Sequence, residues 1–149
     1  MANRNDHLLF GGIAGAGACL LAATLDQRKP SWLELLGATL SGIAAASLPD
    51  WIEPALHPNH RAFFHSVTFA GVGLPPLWAT LQQTRAEQLQ AAAFCEVQAT
   101  CAKSQAIAEY WQGQTATHRF WAGTMLGLIP GYVSHLAADA VTPKSLPLI

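Results

Sequence analysis

The side chains best suited to chemistry in this sequence are histidines and carboxylates at the ends of apolar stretches. His135 and Asp139 are four residues apart in the segment YVSHLAAD, and on a helix this spacing places both side chains on one face. An imidazole nitrogen and a carboxylate oxygen together suit zinc, manganese or iron. The pair fits equally well a buried histidine that only hydrogen-bonds to an aspartate at a helix end, so on its own it leaves both interpretations open.

A second group of reactive side chains lies between residues 48 and 66, in the segment LPDWIEPALHPNHRAFFHS. Its three prolines predict a turn-rich loop over residues 48–60 rather than regular structure. The ionisable candidates in this segment are Asp50, Glu53, His60, Arg61 and His65. Such groups beside hydrocarbon are costly unless they pair, bind a metal or line a wet cavity. We therefore expect a functional site here, and a mutually paired capping network is the alternative.

The elements that must position these groups are long intervals without charge. Charged residues make up 11% of the 149 residues, where about 25% is usual. Since about 20 apolar residues of helix cross a bilayer, each long charge-free interval is a candidate membrane helix. There are four of them, at residues 7–25, 35–49, 62–84 and 120–138. The second is short for a crossing, and Pro75-Pro76 breaks the third.

The predicted fold is a single all-α domain over residues 1–149. We expect a compact bundle of about five helices, three or four of them apolar enough to be membrane-embedded. Glycines at four-residue spacing, such as Gly11 with Gly15 and Gly127 with Gly131, would let helix backbones approach closely in lipid. Residues 82–117 are rich in Gln, Ala and Glu and predict one amphipathic helix inserted over the bundle.

Composition argues against several other classes of protein. The formal charge of -1 gives no basic face for nucleic acid, so we expect no nucleic-acid partner. The three cysteines have neither CxxC spacing nor a disulfide pattern, which favours buried thiols. The first six residues carry one basic residue, and we expect no cleaved signal peptide. Membrane topology and oligomeric state stay open at this point.

Three blocks of sequence resemble a known family. They are an early histidine before an apolar helix, in DHLLF at residues 6–10; LPD at 48–50 leading to HRAFFHS at 60–66; and GYVSH at 131–135 continuing through Asp139 to Thr142-Pro143. In this order they resemble the YdjM-type family of inner-membrane-associated proteins, which are thought to be metal-dependent hydrolases. The resemblance covers nearly the whole chain, and residues 82–117 match least.

The resemblance implies a metal-dependent hydrolase in the bacterial inner (cytoplasmic) membrane. The metal-binding set that it implies is His7, Asp50, His65, His135 and Asp139. This adds His7, which taken alone fits a capping or interfacial role better. Five ligands exceed the four of a tetrahedral site, so one divalent ion with a carboxylate base and two ions are both open. We expect zinc first, with manganese or iron as alternatives.

Two departures from the family pattern accompany this resemblance. After Leu-Pro-Asp the family tends to have a second Asp and then His-Pro, whereas this chain has Trp51-Ile52-Glu53-Pro54. Glu53 could replace the missing carboxylate as ligand or base. Family members also usually continue beyond the segment at which this sequence ends.

The hypothesis for mechanism is hydrolysis by water that a divalent cation makes more acidic. The expected catalytic residues are Asp50, Glu53, His60 and Arg61, with Asp50 or Glu53 taking the proton. The expected substrate-binding residues are Arg61, Ser66 and Ser134. Because a guanidinium matches phosphate oxygens in a two-point contact, we favour a phosphoester. A location at the membrane boundary favours a lipid or lipid-linked phosphate as substrate.

Two other classes of function remain as alternatives. One is a non-enzymatic membrane protein whose intramembrane His, Asp and Glu relay protons or metal ions. The other is a soluble helical domain in which the apolar intervals pack on one another and the polar cluster is structural.

Overall fold

The computed structural model describes residues 4–52 and 68–140. Within these residues the chain forms four α-helices: α1 (Arg4–Leu25), α2 (Trp32–Ile52), α3 (Leu74–Thr100) and α4 (Gln105–Ala140). A π-helical turn, Phe69–Gly73, leads into α3. The all-α prediction is confirmed, but this part of the chain has four α-helices where we expected about five.

The prediction of a single amphipathic helix over residues 82–117 is wrong. Helix α3 ends at Thr100, and α4 begins at Gln105. The break follows from Ser104, whose hydroxyl accepts a hydrogen bond from the Ile107 amide at 3.4 Å, as an N-cap residue does. The apolar stripe of this predicted helix, which would run through Leu89, Ala93, Val97, Cys101, Ala108 and Trp111, is also misplaced. Val97 is 57% exposed, while Cys95, which is not on the stripe, is buried.

Two helices, and not three or four, are long and apolar enough to cross a membrane among the described residues. They are Asn5–Leu25 and Trp32–Ile52. The charge-free part of α4 falls short because Gly, Ser, His and Pro130 dilute its apolar side chains. Helix α3 falls short because it is rich in Gln. The absence of charge is therefore a weaker criterion for a membrane helix than hydropathy itself.

Helix α2 is the centre of the bundle and packs on α4 through small residues. Every fourth residue of α4 meets every fourth residue of α2: Gly123 with Glu34, Gly127 with Ala38, and Gly131 with Gly42. Because both sets of numbers rise together, the two helices run parallel. At the tightest points a side chain does not fit; a Cβ on Gly131 would lie 2.6 Å from the Cα of Gly42.

Helix α1 packs on α2 in the opposite direction. A Cβ on Gly11 would lie 2.5 Å from the Cβ of Ala46, while Gly15 meets the backbone of Ala38 nearer the start of α2. The start of α1 therefore lies beside the ends of α2 and α4. This arrangement brings the histidine-bearing parts of the sequence to one end of the bundle.

The other end of the bundle is closed by ion pairs around a buried carboxylate. Glu34 is 2% exposed. Its two oxygens pair with Arg28 at 2.7 Å and with Arg119 at 2.9 Å, which offsets much of the cost of burying the charge. Ser31 and Glu34 also form a capping box, since the Glu34 amide donates to the Ser31 hydroxyl at 3.1 Å.

Two further ion pairs extend this group onto α3. Arg85 donates to Asp26 at 2.7 Å, and Arg119 contacts Glu96 at 2.9 Å. The hydrogen bond from Arg85 holds the pKa of the Asp26 carboxyl below its usual value. We call this group the ion-pair network; its members are Asp26, Arg28, Glu34, Arg85, Glu96 and Arg119. It joins the turn between α1 and α2 to both other helices.

Candidate metal centre

Three buried side chains from α1 and α4 meet at the end of the bundle opposite the ion-pair network. The ligand atoms of His7, His135 and Asp139 all lie within 4.8 Å of one another. The His135 Nε2 is 3.5 Å from one Asp139 oxygen, and the His7 Nε2 is 3.8 Å from the other. His135 and Asp139 are 0% and 1% exposed. This group could hold a metal ion.

Asp50 brings the central helix to the same point. Its Oδ1 lies 3.7 Å from the His135 Nε2, and its side chain is 49% exposed. Asp50 and His135 are far apart in sequence and come from α2 and α4. Three helices thus contribute to one group, which we call the four-residue cluster: His7, Asp50, His135 and Asp139.

The spacing inside the cluster fits a shared cation. The distances of 3.5, 3.7 and 3.8 Å exceed the N···O distance of a good hydrogen bond, about 3.2 Å at most. Ligand atoms about 2.0–2.2 Å from a tetrahedral zinc are about 3.3–3.6 Å apart. The two distances within the group of His7, His135 and Asp139, 3.5 and 3.8 Å, are close to that separation. Two imidazoles and one carboxylate are donors that zinc, manganese and iron accept, and Asp50 lies beside them, 3.7 Å from His135.

The orientation of His135 is set by the central helix. Its Nδ1 lies 2.7 Å from the carbonyl oxygen of Ala46, so Nδ1 carries the proton and donates it. The same bond leaves Nε2 as the basic nitrogen, directed toward Asp50 and Asp139. A backbone carbonyl that fixes the far nitrogen of a histidine is the usual second contact of a metal-ligating imidazole.

Pro49 removes one backbone hydrogen bond near the end of α2. A proline inside a helix has no N–H for the carbonyl four residues earlier, and its ring crowds that carbonyl. Here Pro49 is buried within α2, and the carbonyl concerned is that of Ala45, one residue before the carbonyl that His135 contacts. The Leu-Pro-Asp segment therefore loosens the turn next to Ala46 and places Asp50 one residue later.

The two histidine rings of the cluster are stacked. The rings of His7 and His135 have centroids 4.1 Å apart and planes inclined by 25°. Two imidazolium rings at this distance would repel each other. Neutral rings that share one cation avoid this repulsion, and the neutral form is also the one that binds a metal.

A cavity of about 360 Å³ opens beside the cluster. Among the described residues it is lined by His7, Leu8, Ala46, Ser47, Asp50 and Trp51. Trp51 is 80% exposed at the end of a candidate membrane helix. Tryptophan is enriched at such positions, because its amphipathic ring is stable in the lipid headgroup region. Sequence reasoning missed Leu8, Ser47 and Trp51 as site residues, although a tryptophan directly after Asp50 was the available signal.

The comparison with protein families covers the entire sequence. Residues 1–149 match the family described as YdjM inner membrane protein. The chain belongs to this family. The predicted resemblance is thereby confirmed, and so is the inner-membrane location, which two helices of sufficient length and hydropathy support. No curated protein and no solved structure matches the chain.

The remaining predicted site residues of this YdjM-family chain are distributed as follows. Ser134 lies on α4, and its hydroxyl donates to the Gly131 carbonyl at 2.7 Å; its role in binding substrate stays a prediction. The prediction of a loop over residues 48–60 is wrong for residues 48–52. These residues form the end of α2, which contains Pro49. The other predicted residues lie outside the described ones: Glu53, His60, Arg61, His65 and Ser66.

Proposed function

We propose that this YdjM-family protein is a membrane-bound metal-dependent hydrolase that cleaves a phosphoester, with a lipid or lipid-linked phosphate as the substrate class. The observation that carries the proposal is the four-residue cluster itself. Side chains from three helices converge at one end of an apolar bundle, beside a cavity of about 360 Å³. Ionisable groups in such a place are most often functional.

The cluster has the features that a metal ligand set requires. Zinc fits best, with manganese or iron as alternatives, because the donors are imidazole and carboxylate at close to tetrahedral spacing. His7, His135 and Asp139 would hold the ion. Bound there, a divalent cation would polarise a phosphoryl oxygen and make water more acidic.

Asp50 is the described residue best placed to move a proton. It lines the cavity and is about half exposed, whereas the other carboxylate of the cluster, Asp139, is buried. A base must reach both the attacking water and the site of reaction, and the position of Asp50 between cavity and cluster meets both needs. Glu53 and His60 remain candidates for the same step, and Arg61 for binding the anionic group.

The walls of the cavity favour an amphiphilic substrate. Its lining combines the polar side chains of His7, Ser47 and Asp50 with the apolar ones of Leu8 and Trp51. A phosphate headgroup would contact the polar side chains, and the apolar ones would contact the part of a lipid next to its headgroup. A soluble phosphoester would use only half of this surface.

The rival proposal of a proton or metal relay lacks charged residues or histidines between the two ends of α2 and of α4. Glu34 and Asp50 are the nearest acidic residues on α2, and no ionisable side chain lies between them. Sixteen residues of helix span about 24 Å. Helix α4 likewise has no charged residue and no histidine between Arg119 and His135. A hydrolase needs no such path along the helices, because its reaction takes place at the four-residue cluster.

The decisive experiment is metal analysis of the protein purified in detergent. We expect a stoichiometric transition metal in the wild type and its loss in His135→Ala and His7→Ala. His118→Ala is the matched control, because His118 lies on the same helix but bonds to Gln88. The metal-centre proposal is wrong if the wild type holds no metal or if all three variants behave alike.

The enzymatic part needs a separate measurement. The loaded wild type is assayed against phosphomonoesters, phosphodiesters and phosphatidate with added zinc or manganese. We expect turnover that Asp50→Asn reduces while the metal is retained. Metal flux into proteoliposomes without any hydrolysis would overturn the hydrolase in favour of the relay.

A further inference from the structure

We propose that an apolar cavity on the other side of α2 binds one hydrocarbon chain of a membrane lipid. The cavity measures about 200 Å³ and lies between α2, the π-helical turn, α3 and α4. Its walls include Ala45, Leu48, Phe69, Leu77, Leu128 and Tyr132. That this chain is the tail of the substrate rests on the proposed function; that the cavity binds a lipid tail does not.

The lining selects for hydrocarbon. All described residues around the cavity are apolar apart from the single hydroxyl of Tyr132, and none carries a charge. Water or a polar ligand would find almost no hydrogen-bond partners there, and a site for water needs two to four. A hydrocarbon chain needs no hydrogen-bond partner there and gains dispersion contacts with the walls.

The cavity continues into a second apolar groove at the protein surface. This groove of about 500 Å³ runs along α3 and α4 and shares Leu74 and Ile129 with the cavity. Its outer wall includes Val133, which is 45% exposed, and Leu77 of the cavity is 46% exposed. Helix α2, a candidate membrane helix of this inner-membrane protein, forms one wall of the cavity. An acyl chain of a neighbouring lipid can therefore reach the apolar opening.

The cavity also adjoins the four-residue cluster. Tyr132 precedes His135 by one helical turn, and Ala45 is adjacent to the residue whose carbonyl orients His135. A hydrocarbon chain in the cavity would therefore lie next to the residues that position His135. This neighbourhood suits a phosphoester headgroup at the cluster with its tail in the cavity, and it predicts a preference for long-chain substrates.

Photocrosslinking tests the tail site directly. The full-length protein is reconstituted in phosphatidylglycerol vesicles that contain a phosphatidylglycerol with a diazirine in one acyl chain. We expect adducts concentrated on peptides from α4 around Ile129 and from the start of α3. Ile129→Trp, which fills the space shared by cavity and groove, should reduce these adducts several-fold. Ile13→Trp is the matched control, because Ile13 is 60% exposed on α1.

A second variant controls for misfolding of Ile129→Trp. Leu77→Trp narrows the cavity from α3, a helix that contributes no member of the four-residue cluster. Both cavity variants should lose adducts while keeping the metal content of the wild type. Adducts spread evenly over the lipid-facing surface, or unchanged in both cavity variants, would overturn the tail site and indicate another occupant.

The two proposals fail in different ways. If the cavity variants lose adducts but the wild type hydrolyses nothing, the tail site stands and the hydrolase falls. If the wild type hydrolyses phosphoesters, the cavity variants should raise KM for long-chain phosphatidate more than tenfold and leave a short, water-soluble phosphomonoester unaffected. Equal effects on both substrates would show that the cavity does not bind the substrate tail.

Discussion

Adding one methyl group at Gly131 should separate α4 from α2 and weaken metal binding. In the wild type, a Cβ built on Gly131 would lie 2.6 Å from the Cα of Gly42. Carbon atoms in contact prefer about 3.5 Å or more, so in Gly131→Ala the two helices must move apart by about 1 Å. No side-chain rotation can relieve this contact, because the added methyl group would meet the backbone of Gly42.

The size of the effect follows from what lies one turn further along the same interface. The His135 Nδ1 is 2.7 Å from the Ala46 carbonyl, and an extra 1 Å of separation would break that hydrogen bond. Loss of such a second contact costs about 10–100-fold in metal affinity. Overpacking costs about 1–3 kcal/mol, of which alanine's better helix propensity returns about 0.5–1 kcal/mol.

Competition with a chromophoric chelator and thermal unfolding, both in detergent, measure these two effects. Gly17→Ala is the control, because a Cβ there meets nothing within 4 Å, and it should keep wild-type affinity with equal or greater stability. If Gly131→Ala binds metal as tightly as Gly17→Ala does, the close contact between α2 and α4 does not position the cluster, and our account of the site is wrong.

Three more predictions test the rest of the bundle. Arg119→Met should destabilise the protein by about 2 kcal/mol, since it removes one partner of a buried carboxylate, and it should also lower metal affinity, because the pair of Glu34 and Arg119 fixes the register of α4 on α2; wild-type metal affinity in this variant would contradict that link between the two ends. Asp26 contributes stability above the unfolded-state pKa near 4, because its folded pKa is lowered. The free energy of unfolding of Asp26→Asn should therefore be lower than that of wild type at pH 7, by less than about 1 kcal/mol given the exposure of Asp26, and this deficit should shrink as the pH falls below about 4; a deficit that stays the same size in acid would refute this. A hydrophilic maleimide should label Cys101 rapidly and the buried Cys19 and Cys95 only after unfolding, and equal labelling rates would contradict the helix packing.

The part of the site that could be predicted from sequence is the part set by local geometry. His135 and Asp139 share a face because helical periodicity alone decides it, and the structure places their side chains 3.5 Å apart. The four-residue glycine spacing also indicated close packing, and the helices do meet at Gly127 and Gly131. Neither inference needed to know which helix packs against which.

What depends on the packing partner could not be predicted in the same way. The ion-pair network needs the register of α2 on α4, which no local pattern specifies, so Glu34 and Arg119 were seen only as boundaries of apolar intervals. Local signals were also missed. Ser104 marks a helix start within residues 82–117, and Ser31 with Glu34 has the spacing of a capping box.

The two ends of the bundle depend on each other through one parallel interface. A slip of α4 along α2 by a single residue would move it by about 1.5 Å, enough to take His135 away from the Ala46 carbonyl. The small residues between the ends allow a close approach but offer few side chains to resist sliding. The pairing of Glu34 with Arg119 at 2.9 Å supplies that resistance, because a slip would separate the buried Glu34 carboxylate from this arginine. A charged network remote from the cluster therefore fixes the register on which the candidate metal centre depends.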